Sequence, residues 1–112
     1  MGTNCTINHY VLLNAAEKIT MGNNVTLSAG CMIHTTQLDI TKWPHKTHIN
    51  FPVTICNNVW IASGVIIGAG ISIGDNVIIG ANSYISKSLE SGYFYAGSPA
   101  IKIKEISHLR EK

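Results

Sequence analysis

Charge is scarce in this 112-residue chain. Asp, Glu, Lys and Arg supply 12% of it, about half the usual share. A helical bundle needs more Lys and Glu on its solvent faces, so the scarcity argues against one. The formal net charge is +2, too small to mark a nucleic-acid or membrane partner. No apolar run approaches the ~18 residues of a membrane span, and Gly2–Thr3–Asn4 does not open a signal peptide. The expected location is cytoplasmic. Cysteine is sparse and odd in number, at three. Without an export signal, reduced structural thiols are the default. The length leaves room for one domain, and 46% hydrophobic residues exclude a disordered chain.

What the chain does have is a period of six. Met21, Leu27 and Ile33 form one run; Ile49, Ile55, Ile61, Ile67, Ile73, Ile79 and Ile85 form another. The residue after each is usually small, as at Gly22, Ser28, Cys56, Ala62, Gly68, Gly74, Gly80 and Ser86. A second phase recurs four positions on, at Val25, Cys31, Val53, Val59, Val65, Ile71, Val77 and Ser83, and reads upstream through Ile19, Leu13 and Ile7. Neither the helical period of 3.6 nor strand alternation of 2 produces this.

A prism does. Each hexad supplies a short strand and a corner, three hexads close a triangular coil, and coils stack as parallel strands roughly 4.8 Å apart. The leading aliphatic fills the interior and the small residue after it lets the chain turn. Asn23–Asn24, Asn57–Asn58 and Asp75–Asn76 suit corners, because Asn and Asp tolerate left-handed backbone angles. The reading is an all-β solenoid of about four coils over residues 1–100, with nearest-neighbour contacts only. Residues 101–112 read as a tail with a short helix near Glu105–Glu111.

The rhythm breaks once, between Ile33 and Ile49. The intervening HTTQLDITKWPHKTH is polar and holds three of the five histidines. A loop thrown out of a solenoid at residues 34–48 is where binding chemistry tends to sit. The spaced glycines of GVIIGAG do not open a helix, so no dinucleotide fingerprint is present. Cys31 and Cys56 occupy inward and small-residue slots, which suits inert thiols.

Three segments are more specific than the period: MGNNVTLSAGCMIHTT (21–36), NNVWIASGVIIGAGISIGDNVIIGANSYISKS (57–88) and AGSPAIKIKEI (96–106). Over about residues 7–106 the chain resembles the hexapeptide-repeat acyltransferases, in the maltose/galactoside O-acetyltransferase branch. The resemblance implies a left-handed β-helix, acetyl-CoA as donor, a sugar or glycan hydroxyl as acceptor, and a homotrimer with each site between two prisms. It places Trp60 beside the thioester arm and Ser63 and Ala81 against the pantetheine. Ser86 and Lys87 match a pair near the CoA phosphates, and Lys104 a basic residue at the nucleotide end. Asn8 matches an acceptor-end asparagine. Lysines are credible there as point charges.

In the family a histidine removes the hydroxyl proton as the acceptor attacks the thioester. Here the matching position falls on Leu38, with Gln37 nearby. The base is therefore expected from the loop: His48 first, His45 second, His34 third, with Asp39 orienting whichever acts. His34 stands directly after Ile33, where the hexad wants a small residue. No metal is expected. Two alternatives stay open. One is a trimeric binding or scaffold member that has lost its base. The other is a zinc hydratase of the carbonic anhydrase type, with His34, His45 and His48 as ligands.

Overall fold

Each hexad becomes a strand of two or three residues followed by a corner. The computed structural model describes residues 2–106. In chain order its elements are β1 (Thr6–Ile7), β2 (Leu12–Asn14), β3 (Ile19–Met21), β4 (Val25–Leu27), β5 (Met32–His34), β6 (Thr36–Leu38), a 3-10 turn (Ile40–Lys42), β7 (His48–Asn50), β8 (Val53–Ile55), β9 (Val59–Ile61), β10 (Ile66–Ile67), β11 (Ser72–Ile73), β12 (Val77–Ile79), β13 (Tyr84–Ile85), β14 (Tyr93–Gly97) and β15 (Ala100–Glu105). The expected left-handed parallel β-helix is the observed fold.

Three faces enclose the core. The first stacks β1, β4, β9, β12 and β14; the second stacks β2, β5, β10 and β13; the third stacks β3, β8 and β11. Register is coil on coil: Val25 lies on Val59 and Val59 on Val77, all parallel. The inward column of Leu27, Ile33, Ile55, Ile61, Ile67, Ile73, Ile79 and Ile85 is fully buried. Each such side chain contributes about 1.5–3 kcal/mol of burial. β-branched residues dominate because a pleated, enclosed strand fits them best.

The corners follow their residue types. Asn24, Asn58 and Asn76 take φ of 59°, 59° and 56°, left-handed angles that most side chains resist. Gly64 (φ 74°) is needed twice over, because a Cβ there would also strike the Asn82 carboxamide of the next coil. Side-chain oxygens cap the coil edges: the Thr3, Asn23 and Asn57 backbone N–H groups donate to Asn23, Asn57 and Asp75 in turn.

Several expectations shift. Ile49 is not part of the inward column. It sits in β7, which pairs antiparallel with β6 (Gln37 opposite Ile49, Leu38 opposite His48). The excursion is therefore a hairpin, and the chain rejoins the column at Val53–Ile55, not at Ile49. Its root is pinned by buried Thr35, whose hydroxyl donates to the Asn14 carbonyl (2.8 Å) and accepts from the Glu17 N–H (3.0 Å).

Ile7 and Leu13 pair with Leu27 and Ile33, so they belong to the leading-aliphatic phase and not to the second. The corner after Leu13 carries two extra residues, since the offset between partners is 33 − 13 = 20 there and 78 − 60 = 18 later. At the other end, Tyr93–Ala100 is more than an exit. β14 continues the first face and β15 returns antiparallel to it. Residues 101–105 are thus strand, and the remainder of the expected tail helix lies outside the described residues. Tyr95 is buried over the last coil, its hydroxyl held by the Glu90 backbone.

Candidate active site

The outward side chains of the three faces differ. On the first face Thr26, Trp60, Ile78 and Phe94 stack in register. On the second, Leu12, Met32, Ile66 and Tyr84 do so. The third presents Thr20, Thr54 and Ser72. Two faces are therefore apolar outward and one is polar. Trp60 is 56% exposed, a large unpaired indole for so small a chain.

The hairpin leaves the corner between the second and third faces and overhangs the second. Beneath it lies a groove of about 200 Å³ lined by His34, Gln37, Ile66, Gly68, Tyr84 and Ser86, among others. Its construction is simple. His34 ends β5, while Gly68 and Ser86 follow the aligned β10 and β13 one and two coils on. Gly68 has no side chain, so a gap opens between His34 and Ser86. The Tyr84 hydroxyl leans over it: a Cβ added at Gly68 would meet that oxygen at 3.6 Å. Imidazole, phenol, carboxamide and hydroxyl thus converge on one cleft, a set able to move a proton and donate hydrogen bonds.

The three sequence-picked histidines are not together. His34 lines the groove. His48 stands on β7 and His45 in the hairpin turn, both exposed. Among the described residues of one chain no group of three or more His, Cys, Asp or Glu could hold a metal ion. Asp39 does not orient an imidazole. Its carboxylate accepts from the Thr41 N–H (3.1 Å) and hydroxyl (2.6 Å) and caps the 3-10 turn.

The donor-side residues sit elsewhere. Ser63 and Ala81 are exposed at the corner between the first and second faces, in adjacent coils, where the Asn82 N–H donates to the Ser63 carbonyl (2.9 Å). Asn8 lies on that same corner in the first coil, its carboxamide donating to the Leu27 carbonyl (3.3 Å). Lys104 is opposite Phe94 on the first face and, with Ile78, Phe94 and Ile106, lines a second, apolar recess. Ser86 belongs to the groove, and Lys87 follows it at the far corner. Trp60 and the hairpin root are therefore on opposite sides of one column. Tyr84 and Gly68 were missed in the sequence. The available signal was an aromatic in a column otherwise filled by Leu12, Met32 and Ile66.

Burial pushes the Cys31 thiol up from 9.0 to about 11, which keeps it protonated and inert.

Residues 52–87 match a family model described as bacterial transferase hexapeptide (six repeats). The match covers about a third of the chain; over those coils the chain is similar to the hexapeptide transferases, and its fold is the left-handed parallel β-helix. A comparison with curated proteins gave no match. Among solved structures, a hexapeptide-repeat-containing acetyltransferase from Vibrio cholerae superposes with a TM-score of 0.89 at 25% identity, over 96% of this chain and 62% of its own. A galactoside acetyltransferase in complex with coenzyme A gives 0.74 at 28% identity, over 96% of this chain and 67% of its own. AntD, an N-acyltransferase from Bacillus cereus, was solved as a mutant with dTDP-4-amino-4,6-dideoxyglucose and coenzyme A. It gives 0.84 at 26% identity, over 92% of this chain and 61% of its own. The chain thus spans about three-fifths of the length of two of these proteins.

Proposed function

We propose that this protein is an acetyl-CoA-dependent O-acetyltransferase acting on a sugar or glycan hydroxyl, with His34 as the general base. The groove carries the reading: His34 is the one loop-side histidine that faces a cleft with further polar groups, beside Tyr84, Gln37 and Ser86. The CoA-bound hexapeptide neighbours support the donor. His48, favoured by sequence position, points from an exposed strand.

The chemistry asks little of the protein, because a thioester is already activated. His34 takes the acceptor hydroxyl proton as its oxygen attacks the carbonyl carbon. Hydrogen-bond donors steady the tetrahedral oxyanion. The C–S bond then breaks, and the imidazolium returns its proton to the departing thiolate. Use of acetyl-CoA fits a cytoplasmic setting.

A single column separates Trp60, Ser63 and Ala81 from the groove. A second copy can bring them together. If the apolar first face of one chain packs on the apolar second face of the next, the contact is heterologous and closes as a ring. Three copies form the proposed trimer, the polar third faces stay in water, and Trp60 of one copy approaches the groove of its neighbour.

The test is thiol release from acetyl-CoA against a panel of sugars. His34→Ala should lower turnover by roughly 10²–10⁴-fold, with CoA affinity by calorimetry little changed. His48→Ala should leave turnover within a few fold; the reverse pattern would move the base to His48. Absence of any heat with coenzyme A would end the acyltransferase reading. The AntD likeness favours one second reading, N-acylation of a nucleotide-linked amino sugar. Turnover with an amino-sugar nucleotide and none with hydroxyl acceptors would select it.

A further inference from the structure

The hairpin tip is built, yet its large apolar side chains stand mostly in solvent. Asp39 N–H donates to the Thr47 carbonyl (2.7 Å), His45 N–H to the Lys42 carbonyl (2.7 Å) and Trp43 N–H to the Ile40 carbonyl (3.2 Å), while Asp39 caps the turn. On this pinned backbone Trp43 is 62% exposed and Ile40 76% exposed. Leaving a large apolar side chain in water forgoes about 1.5–3 kcal/mol of burial, and tryptophan is enriched at contact surfaces.

The charge around it has one sign. Lys42 precedes Trp43 in the chain, and His45, Lys46 and His48 follow it within five residues. The acid nearest in sequence, Asp39, is already engaged by Thr41. Among the described residues neither Lys42 nor Lys46 forms an ion pair. The tip thus offers an aromatic plane flanked by free ammonium groups. The strand bearing Gln37 runs from this tip down into the groove, and residues 37 to 40 span only about 10 Å at 3.3–3.4 Å per residue.

We propose that the hairpin tip is a docking arm for an anionic polysaccharide, and that such a polymer, not a free monosaccharide, is what the groove receives. A pyranose ring has an apolar C–H face that stacks on an indole. Carboxylates along a polyuronide pair with Lys42 and Lys46 as charge-assisted contacts. A groove of about 200 Å³ holds one residue of the polymer while the arm holds its neighbours. A lone sugar would fill the groove and leave Trp43 unexplained. Use of the polymer as acceptor rests on the acyl-transfer reading; binding by the arm does not.

The experiment is affinity electrophoresis of the full chain in gels containing polygalacturonate or, as neutral control, dextran. Polygalacturonate should retard the protein, dextran should not, and retardation should fade between low salt and about 0.5 M NaCl as screening shortens the field. Trp43→Ala and the double variant Lys42→Ala/Lys46→Ala should each weaken retardation at least fivefold, with coenzyme A heats unchanged. Four outcomes overturn the arm: no retardation of the parent chain, equal retardation of the variants, loss of oligomeric mass in Trp43→Ala (the tip then docks on a second copy), or capture by phosphatidylserine vesicles without capture by polygalacturonate. Retardation without acetyl transfer to polygalacturonate or to any sugar would keep the arm and sink the acyltransferase reading instead.

Discussion

The Asn57 backbone N–H donates to the Asp75 carboxylate at 2.8 Å, one coil away. The Asp75 N–H in turn donates to the Ser91 hydroxyl at 2.8 Å. One edge of the column is thus tied coil to coil by short polar side chains, interleaved with backbone bonds such as Asn76 N–H to the Asn57 carbonyl (2.9 Å). Asp75→Ala removes the acceptor and should cost about 0.5–2 kcal/mol, the range of a lost side-chain cap. Asp75→Asn retains an Oδ1 acceptor and should recover most of it. Urea midpoints of both variants check this; equal losses would mean that the charge, not the hydrogen bond, matters.

Core substitutions should show a gradient along the column. Ile67 is fully buried in the third coil, while Leu13 in the first is 37% exposed. Ile67→Ala should cost about 2–5 kcal/mol through lost burial and a cavity. Leu13→Ala should cost less than half as much. Equal costs in chemical denaturation would show that the first coil is covered in solution.

Cys31 gives a pH-dependent readout. Its thiol is raised from 9.0 to about 11 by burial. The raised value means the folded state holds the proton longer than the unfolded chain does. The associated stabilisation is fully present below about pH 9, and it is lost as pH rises through about 11. Cys31→Ser should flatten the decline in denaturation midpoint across that window. Under native conditions at pH 8, iodoacetamide should label Cys5 and Cys56, which are partly exposed, before Cys31.

The proposed assembly makes a face-specific prediction. Ile66 points outward on the second face and Thr54 on the third. Ile66→Asp places a charge in the first-on-second contact and should drop the sedimenting mass to that of one chain. Thr54→Asp on the polar face should leave it unchanged. A parent chain that sediments as a monomer would refute the assembly.

The column was legible in the sequence because its cause is local. Each hexad carries its own inward aliphatic and its own small or left-handed corner residue, and the pattern repeats whatever lies beyond. Ile49 misled because it stands six before Ile55 and shares the aliphatic type. Only β6, reaching it from the other side of the loop, removes it from the core. Ile7 and Leu13 misled because two extra residues at the corner after Leu13 shift the frame without breaking the count of six. Which of the loop histidines lines a cleft was hidden from the sequence for a related reason. The cleft at His34 exists because Gly68, 34 positions on, is empty and Tyr84, 50 positions on, leans over it.

By itself the sequence determined the three-sided parallel column, its corners and its inward residues, since these arise from steric rules acting within six residues. Tertiary structure alone decided which outward faces are apolar, where the hairpin rejoins the wall, and which histidine meets a cleft. Those depend on coil-to-coil register, which aligns residues far apart in the chain, and no local spacing encodes that alignment.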